Sequence, residues 1–248
     1  MRFDIITLFP NLFEPLLTTG VTRRAFDSGL VDVRLSDLRD FAAGNYRRVD
    51  DRPFGGGPGM VMTIEPLSRC VESIKLQRAE DVPVILFSPV GKTLNHATIA
   101  RLADSEGAIL VCGRYEGLDQ RFIDQYVTEQ ISLGDFVLSG GEIAAMALLD
   151  AVARLQPGVL NTAQSHSQDS FNPSLDGLLD CPHYTRPLIW EGHFAPQVLL
   201  SGNHVQIKSW RREQSLALTI RERPDLIEKA RVEGRLSAVD EVFLSNLP

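Results

Sequence analysis

Two runs of apolar residues, VPVILF at 82–87 and AILVC at 108–112, constrain the fold more than any other feature. A strand with one wet face alternates polar and apolar residues. One that is apolar at every position needs cover on both faces. Residues 2–9 read as a third buried strand, and VDVRL at 31–35 alternates as a half-buried strand does. Pro10–Leu17 and Val21–Gly29 have the look of short helices, the second stopped by Gly29, and His96–Leu102 reads as a helix. Strands alternating with helices predict an α/β domain with a mainly parallel sheet.

From about Pro157 the pattern changes. Residues 157–175 (PGVLNTAQSHSQDSFNPSL) are polar and aperiodic, which predicts a linker. Beyond it, helices are expected over 203–220 and 224–232, with Asn203 and Pro224 at their starts, and a shorter one over 237–247. The expected organisation is therefore an α/β domain over 1–160, a flexible linker over 161–172 and a small all-α domain over 173–248. A length of 248 residues suits one medium domain with a smaller companion.

Composition excludes some classes. Cys70, Cys112 and Cys181 show no paired spacing, which argues against a disulfide framework and a cysteine-type zinc site. The opening MRFDIITLFP is too short and, at Asp4, too interrupted for a signal peptide or a membrane span, so a cytoplasmic protein is expected. The net charge of −7 does not exclude a nucleic-acid partner, because the basic residues cluster. Between His204 and Arg223, Lys208, Arg211, Arg212, Arg221 and Arg223 face only Glu213 and Glu222.

The stretch ISLGDFVLSGGEIAAMALLDAVARL (131–155) carries the strongest local signal. A strand-like run meets Gly134-Asp135, a second meets Ser139-Gly140-Gly141, and a helical period follows from Glu142. Ser139 with Glu142 has the spacing of a capping box. The stretch fits an ordinary strand–turn–helix corner, but so many glycines also let a backbone approach a flat ligand. Two other strand ends are punctuated similarly: Ser88-Pro89 after VILF, and Gly113-Arg114-Tyr115-Glu116 after AILVC. Ligands of open α/β sheets bind beyond the carboxyl ends of the strands, so three such loops would wall a pocket with backbone. A neutral flat group such as adenine suits it better than a pyrophosphate. Phosphate signatures fail on spacing: the glycine a P-loop requires five residues before Gly91-Lys92-Thr93 is Leu86, and FGGGPGM at 54–60 has Met60 where G-x-G-x-x-G needs glycine.

Arg47 and Arg48 precede the loop DDRPFGGGPGM, which opens with Asp50 and reads either as a solvated surface loop or as backbone laid against a base with arginines on phosphates. Asp169 in the polar linker reads as a solvated carboxylate, and Arg154 as a cation complementing a helix C-terminus.

Several runs together closely resemble the bacterial tRNA (guanine-N1)-methyltransferases, which methylate guanosine 37 beside the anticodon. They are ITLFP (6–10), GVTRRA (20–25), VDDRPFGGGPGM (49–60), LVCGRYEG (110–117), ISLGDFVLSGGE (131–142), LLDCPHYTRP (178–187) and LLSGNH (199–204). Phe54 stands where that pattern has Tyr. The resemblance implies a SPOUT-type domain with a deep trefoil knot, an obligate homodimer with its active site at the subunit interface, and S-adenosylmethionine as methyl donor. It implies a cofactor site of Pro89, Gly113, Tyr115, Glu116, Leu133, Gly134, Asp135, Phe136, Val137, Leu138, Gly140 and Gly141. It assigns Asp169 as general base at guanine N1 and Arg154 as the partner of O6. It places the anticodon stem-loop against Arg48, Asp50, Arg52, Gly59, Ser165, Lys208, Arg211 and Arg212. A Mg²⁺ requirement also follows from the resemblance, although the sequence offers no ligand cluster for one. A ribose 2′-O-methyltransferase of the same superfamily and a catalytically silent RNA-binding module are the rival readings.

Overall fold

The computed structural model describes residues 1–160 and 166–247. It divides into two compact units, Met1–Asn161 and Thr162–Pro248.

The first unit begins with β1 (Arg2–Thr7), a 3-10 turn at Pro10–Phe13, α1 (Glu14–Thr18), α2 (Arg23–Asp27) and β2 (Asp32–Asp37). A hairpin of β3 (Asp50–Asp51) and β4 (Val61–Met62) follows, then α3 (Ile64–Leu76), β5 (Val84–Thr93), α4 (His96–Ala103) and β6 (Gly107–Val111). The unit closes with α5 (Gln120–Tyr126), β7 (Glu129–Ser132) and α6 (Glu142–Leu155). Five strands form one sheet in the order β2-β1-β6-β5-β7, and every pairing is parallel.

The apolar runs do what their composition demands. Alternate residues of β5 and β6 enter opposite cores: Ile85, Phe87, Ala108 and Leu110 pack with Leu148, Leu149 and Val152 of α6. Val84, Leu86, Ile109 and Val111 pack with Leu67, Cys70 and Val71 of α3 and Phe122 of α5. Helices thus cover both faces, the usual setting of a parallel sheet. Asp4, the break in the first strand, is 2% exposed and is held by Arg2 and Arg78, each at 2.5 Å, so its buried charge is paired rather than stranded. Helix α3 has no counterpart among the elements read from sequence, although Leu67, Cys70, Val71 and Ile74 carry the three- and four-residue spacing of a buried helical face.

The second unit contains a two-stranded ribbon, β8 (Ile189–Trp190) and β9 (His193–Phe194), and helices α7 (Gln197–Leu200), α8 (His204–Glu222), α9 (Pro224–Val232) and α10 (Ala238–Ser245). The expectation of an all-α domain needs this ribbon added. Asn203 caps α8 by accepting from the Val205 and Gln206 N–H groups, and Pro224 opens α9. The core of the unit is small: Leu178, Leu216, Ile227 and Ala230.

The stretch read as a flexible linker is hydrogen-bonded where it is described. Asn172 donates its side-chain amide to the His166 carbonyl at 3.0 Å, and Phe171 N–H reaches the Leu178 carbonyl at 2.8 Å. Low hydrophobicity removed the periodic signal, but local side-chain-to-backbone bonds hold polar turns without it.

Candidate functional site

A cavity of about 460 Å³ opens at the carboxyl ends of β5, β6 and β7. Its lining includes Pro89, Gly113, Tyr115, Glu116, Leu133, Phe136, Val137, Leu138, Gly140 and Gly141, ten of the twelve residues expected there. Gly134 and Asp135 are not among the lining residues. The floor is apolar, from Leu86, Phe87, Ile131 and Ala144. The size is in the ordinary range for a small-molecule site.

Each wall has a local cause. Strand β5 is interrupted: both Phe87 and Lys92 pair with Ile131, so Ser88, Pro89, Val90 and Gly91 loop out of the ladder. Gly91 permits this, because a Cβ there would collide with the Gln130 and Ile131 backbone of β7. At the end of β6, Gly141 N–H donates to the Gly113 carbonyl at 2.9 Å, and a Cβ on Gly141 would lie 2.8 Å from Cys112 Cα. The glycines at 140 and 141 therefore answer first to the protein's own atoms. Tyr115 adopts a left-handed φ of 61°, which turns the chain out at the rim.

The expected capping box at Ser139 and Glu142 is not formed. Gly141 is the N-cap of α6 and no side chain caps it. Glu142 is buried at 1% exposure and faces inward: Thr7 Oγ1 donates to its Oε1 at 2.8 Å, and Arg114 Nε donates to the same oxygen at 3.2 Å. Arg114 also donates to the Ser139 carbonyl at 3.1 Å and lies over the Phe9 ring, 4.5 Å from its centroid. The spacing of a capping box is real, but tertiary partners take its Glu142 carboxylate. Burial, followed by the Glu142 carboxylate, pushes the neighbouring Cys112 thiol well up, so it offers no thiolate.

The β3–β4 hairpin brings the glycine loop to the same rim. Glu116 N–H donates to the Met60 carbonyl at 2.9 Å, and a Cβ on Gly59 would run into the Glu116 side chain. Gly55, Gly56, Gly57 and Gly59 all have positive φ, so the tip needs glycines for its own path. Arg48 and Arg52 are exposed, Arg48 lies 3.6 Å from Asp51, and Asp50 pairs with Met62 in the hairpin.

In the second unit, Asp169 is half-buried in the 166–178 turn, its carbonyl accepting from Asn172 N–H at 3.2 Å. Arg154 is half-buried in the last turn of α6, in the first unit. Ser165 lies outside the described residues. Lys208 and Arg211 are exposed on α8 and, among the described residues, form no ion pair. Arg212, expected beside them on RNA, is engaged within its own unit. Asp240 and Asp176 both hold it at 2.8 Å, so its charge is spent tying α8 to α10 and to the turn at 176. Arg221 and Arg223 are likewise paired, with Glu222 and Asp225. Composition counted five cations here; only the folded contacts tell which are taken. Among the described residues, no group of three or more His, Cys, Asp or Glu side chains is arranged to hold a metal, and no helix is long and apolar enough to cross a membrane.

A family model described as tRNA (guanine-1)-methyltransferase TrmD matches residues 1–229. The chain belongs to this family. A relative from Albidiferax ferrireducens, named tRNA (guanine-N(1)-)-methyltransferase, is 76% identical over 246 residues, 99% of each chain. One of the same name from a Polaromonas species is 67% identical over 251 residues, covering 100% of this chain and 97% of the relative. Another from Bordetella pertussis is 56% identical over 251 residues, covering 100% and 98%. The methyltransferase family match spans both units, so it bears on the second as well as on the cavity-bearing first.

Proposed function

We propose that the protein transfers a methyl group from S-adenosylmethionine to N1 of guanosine 37 in tRNA. One observation carries this beyond family membership: the glycine hairpin expected to meet RNA is bonded, through Met60 and Glu116, to the rim of the cavity expected to hold the methyl donor. A cofactor and an RNA base must meet at one place for methyl transfer, and these two surfaces adjoin.

The residues present fit S-adenosylmethionine. Glycines at 113, 140 and 141 bring backbone to the wall, the floor is apolar, and the guanidinium of Arg114 is already engaged. With that cation engaged, the wall suits a neutral adenosine better than a polyphosphate, which draws on free cations. When bound, the cofactor supplies a methyl on a sulfonium, so the S–C bond breaks with its electron pair left on sulfur and no covalent enzyme intermediate is needed.

Guanine N1 carries a proton at neutral pH and is a poor nucleophile until it leaves. In this reading the Asp169 carboxylate accepts that proton, and the N1 lone pair forms the new C–N bond. The Arg154 guanidinium stabilises the negative charge that develops on O6. Lys208 and Arg211 hold phosphates of the anticodon stem-loop, and the target base turns out of its stack to reach the cavity. The described carboxylates do not gather into a metal site.

The proposal extends to the trefoil knot at the carboxyl ends of β5, β6 and β7 and to a homodimer acting in the cytoplasm. Exposed apolar side chains around the cavity, Val90, Phe136, Val137 and Ile143, support a second copy covering this face. The rival ribose 2′-O-methyltransferase would have no use for Asp169. The test is nucleoside mass spectrometry of unmodified tRNA incubated with folded protein and S-adenosylmethionine, with and without a chelator. 1-Methylguanosine at position 37 is expected; its absence, or 2′-O-methylation instead, refutes the proposal.

A further inference from the structure

Among the described residues, the charged side chains lining the cavity are Arg114 and Glu116. A guanidinium in such a wall would ordinarily be a hook for phosphate or carboxylate. Here two of its three nitrogens are turned inward. Arg114 Nε donates to Glu142 Oε1 at 3.2 Å and lies 3.0 Å from Oε2, its Nη1 holds the Ser139 carbonyl, and its face lies on Phe9.

Glu142 is the unexpected member. An acid at the first turn of α6 complements the helix dipole equally well when exposed. This one is 1% exposed, and its Oε2 accepts no hydrogen bond among the described residues. Burying a carboxylate that is only partly satisfied costs stability, which an apolar residue at this position would avoid. The neighbouring backbone accommodates it: a Cβ on Gly140 would overlap both Arg114 and Glu142.

We propose that Glu142 is a specificity-determining residue that, through Arg114, sets the charge of the cavity so that it takes a sulfonium and refuses phosphorylated adenosines. The inference rests on reading the cavity as the S-adenosylmethionine site. With Glu142 present, two carboxylates (Glu116 and Glu142) stand against one guanidinium, and the balance favours a cation. Without it, Arg114 is released as an anion hook facing the same space. Glu142 does not line the cavity and acts on the ligand only through its partner.

The test is isothermal titration of Glu142→Gln with three ligands: S-adenosylmethionine, S-adenosylhomocysteine, which lacks the sulfur charge, and adenosine 5′-monophosphate. The ratio of affinities for the first two should fall by roughly ten- to thirtyfold, as a unit charge about 8–12 Å away implies at an effective dielectric of about 20. Affinity for the monophosphate should rise. The double variant Arg114→Met with Glu142→Gln keeps Glu116 alone, restores the wild type's one-charge excess of carboxylate, and should recover the wild-type ratio. A purely structural role would weaken S-adenosylmethionine and S-adenosylhomocysteine together and leave the ratio unchanged, which overturns the proposal. Should Glu142→Gln not fold, Arg114→Met alone reads the same balance from the other side: its ratio must rise, and an unchanged one is equally fatal. If the wild-type protein binds neither adenosyl ligand, the cofactor reading itself fails and this inference with it.

Discussion

Replacing Gly141 by Ala asks whether the cavity wall depends on one close backbone approach. The φ of Gly141 is −78°, which suits any residue, so no left-handed strain enters. The added methyl would sit 2.8 Å from Cys112 Cα and 3.1 Å from Gly113 N, both backbone atoms that no rotamer change can move. The α6 N-terminus and the end of β6 must therefore separate, stretching the 2.9 Å bond from Gly141 N–H to the Gly113 carbonyl. Overpacking of this kind costs about 1–3 kcal/mol, and a weakened hydrogen bond adds about 1 kcal/mol. For a chain of this size the sum lowers the melting temperature by about 5–15 °C. Because Gly113 and Gly141 both line the cavity, S-adenosylhomocysteine affinity should fall as well. Circular dichroism melts and calorimetric titration read the two effects. A variant that melts within about a degree of wild type and binds equally well would refute the claim that this contact builds the wall.

Asp169→Asn should abolish methyl transfer while leaving S-adenosylhomocysteine affinity nearly intact; near-normal single-turnover rates would remove Asp169 as the base. Arg211→Ala should weaken tRNA binding and lower its salt slope by about one, whereas Arg212→Gln should lower stability instead, since Asp240 and Asp176 already engage that cation; filter binding and thermal melts distinguish the two, and equal loss of tRNA affinity per folded molecule would contradict the assignment. Asp240 gives a pH signature. The hydrogen bond from Arg212 holds its carboxyl down to about 2, below the ordinary 3.8. Because the folded-state value is the depressed one, the stabilisation, roughly 2 kcal/mol, is complete above about pH 4 and lost as pH falls through about 2. Denaturant midpoints of Asp240→Asn and wild type should therefore differ at pH 7 and converge near pH 2; a gap independent of pH would show that the ion pair contributes nothing.

By itself the sequence determined the layered α/β unit, because VPVILF and AILVC are intelligible only as strands covered on both faces. It determined the starts of α8 and α9 through Asn203 and Pro224, since caps act within a few residues of chain. It located the cavity's three loops, because glycine and proline at strand ends are local backbone chemistry. The resemblance added expectations of a ligand for those loops and of roles for Asp169 and Arg154, which no spacing rule supplies. Tertiary structure decided what depends on partners distant in the chain. Ser139 and Glu142 have capping-box spacing, yet Thr7, 135 residues away, and Arg114 take the carboxylate into the interior. Arg212 and Arg211 are neighbours of identical chemistry, and only the return of Asp176 and Asp240 to α8 makes one a strut and leaves the other exposed. Periodicity and capping are short-range and can be read from residue order. Charge pairing is settled by whichever opposite charge the fold brings within about 4 Å, and residue order alone does not say which that will be.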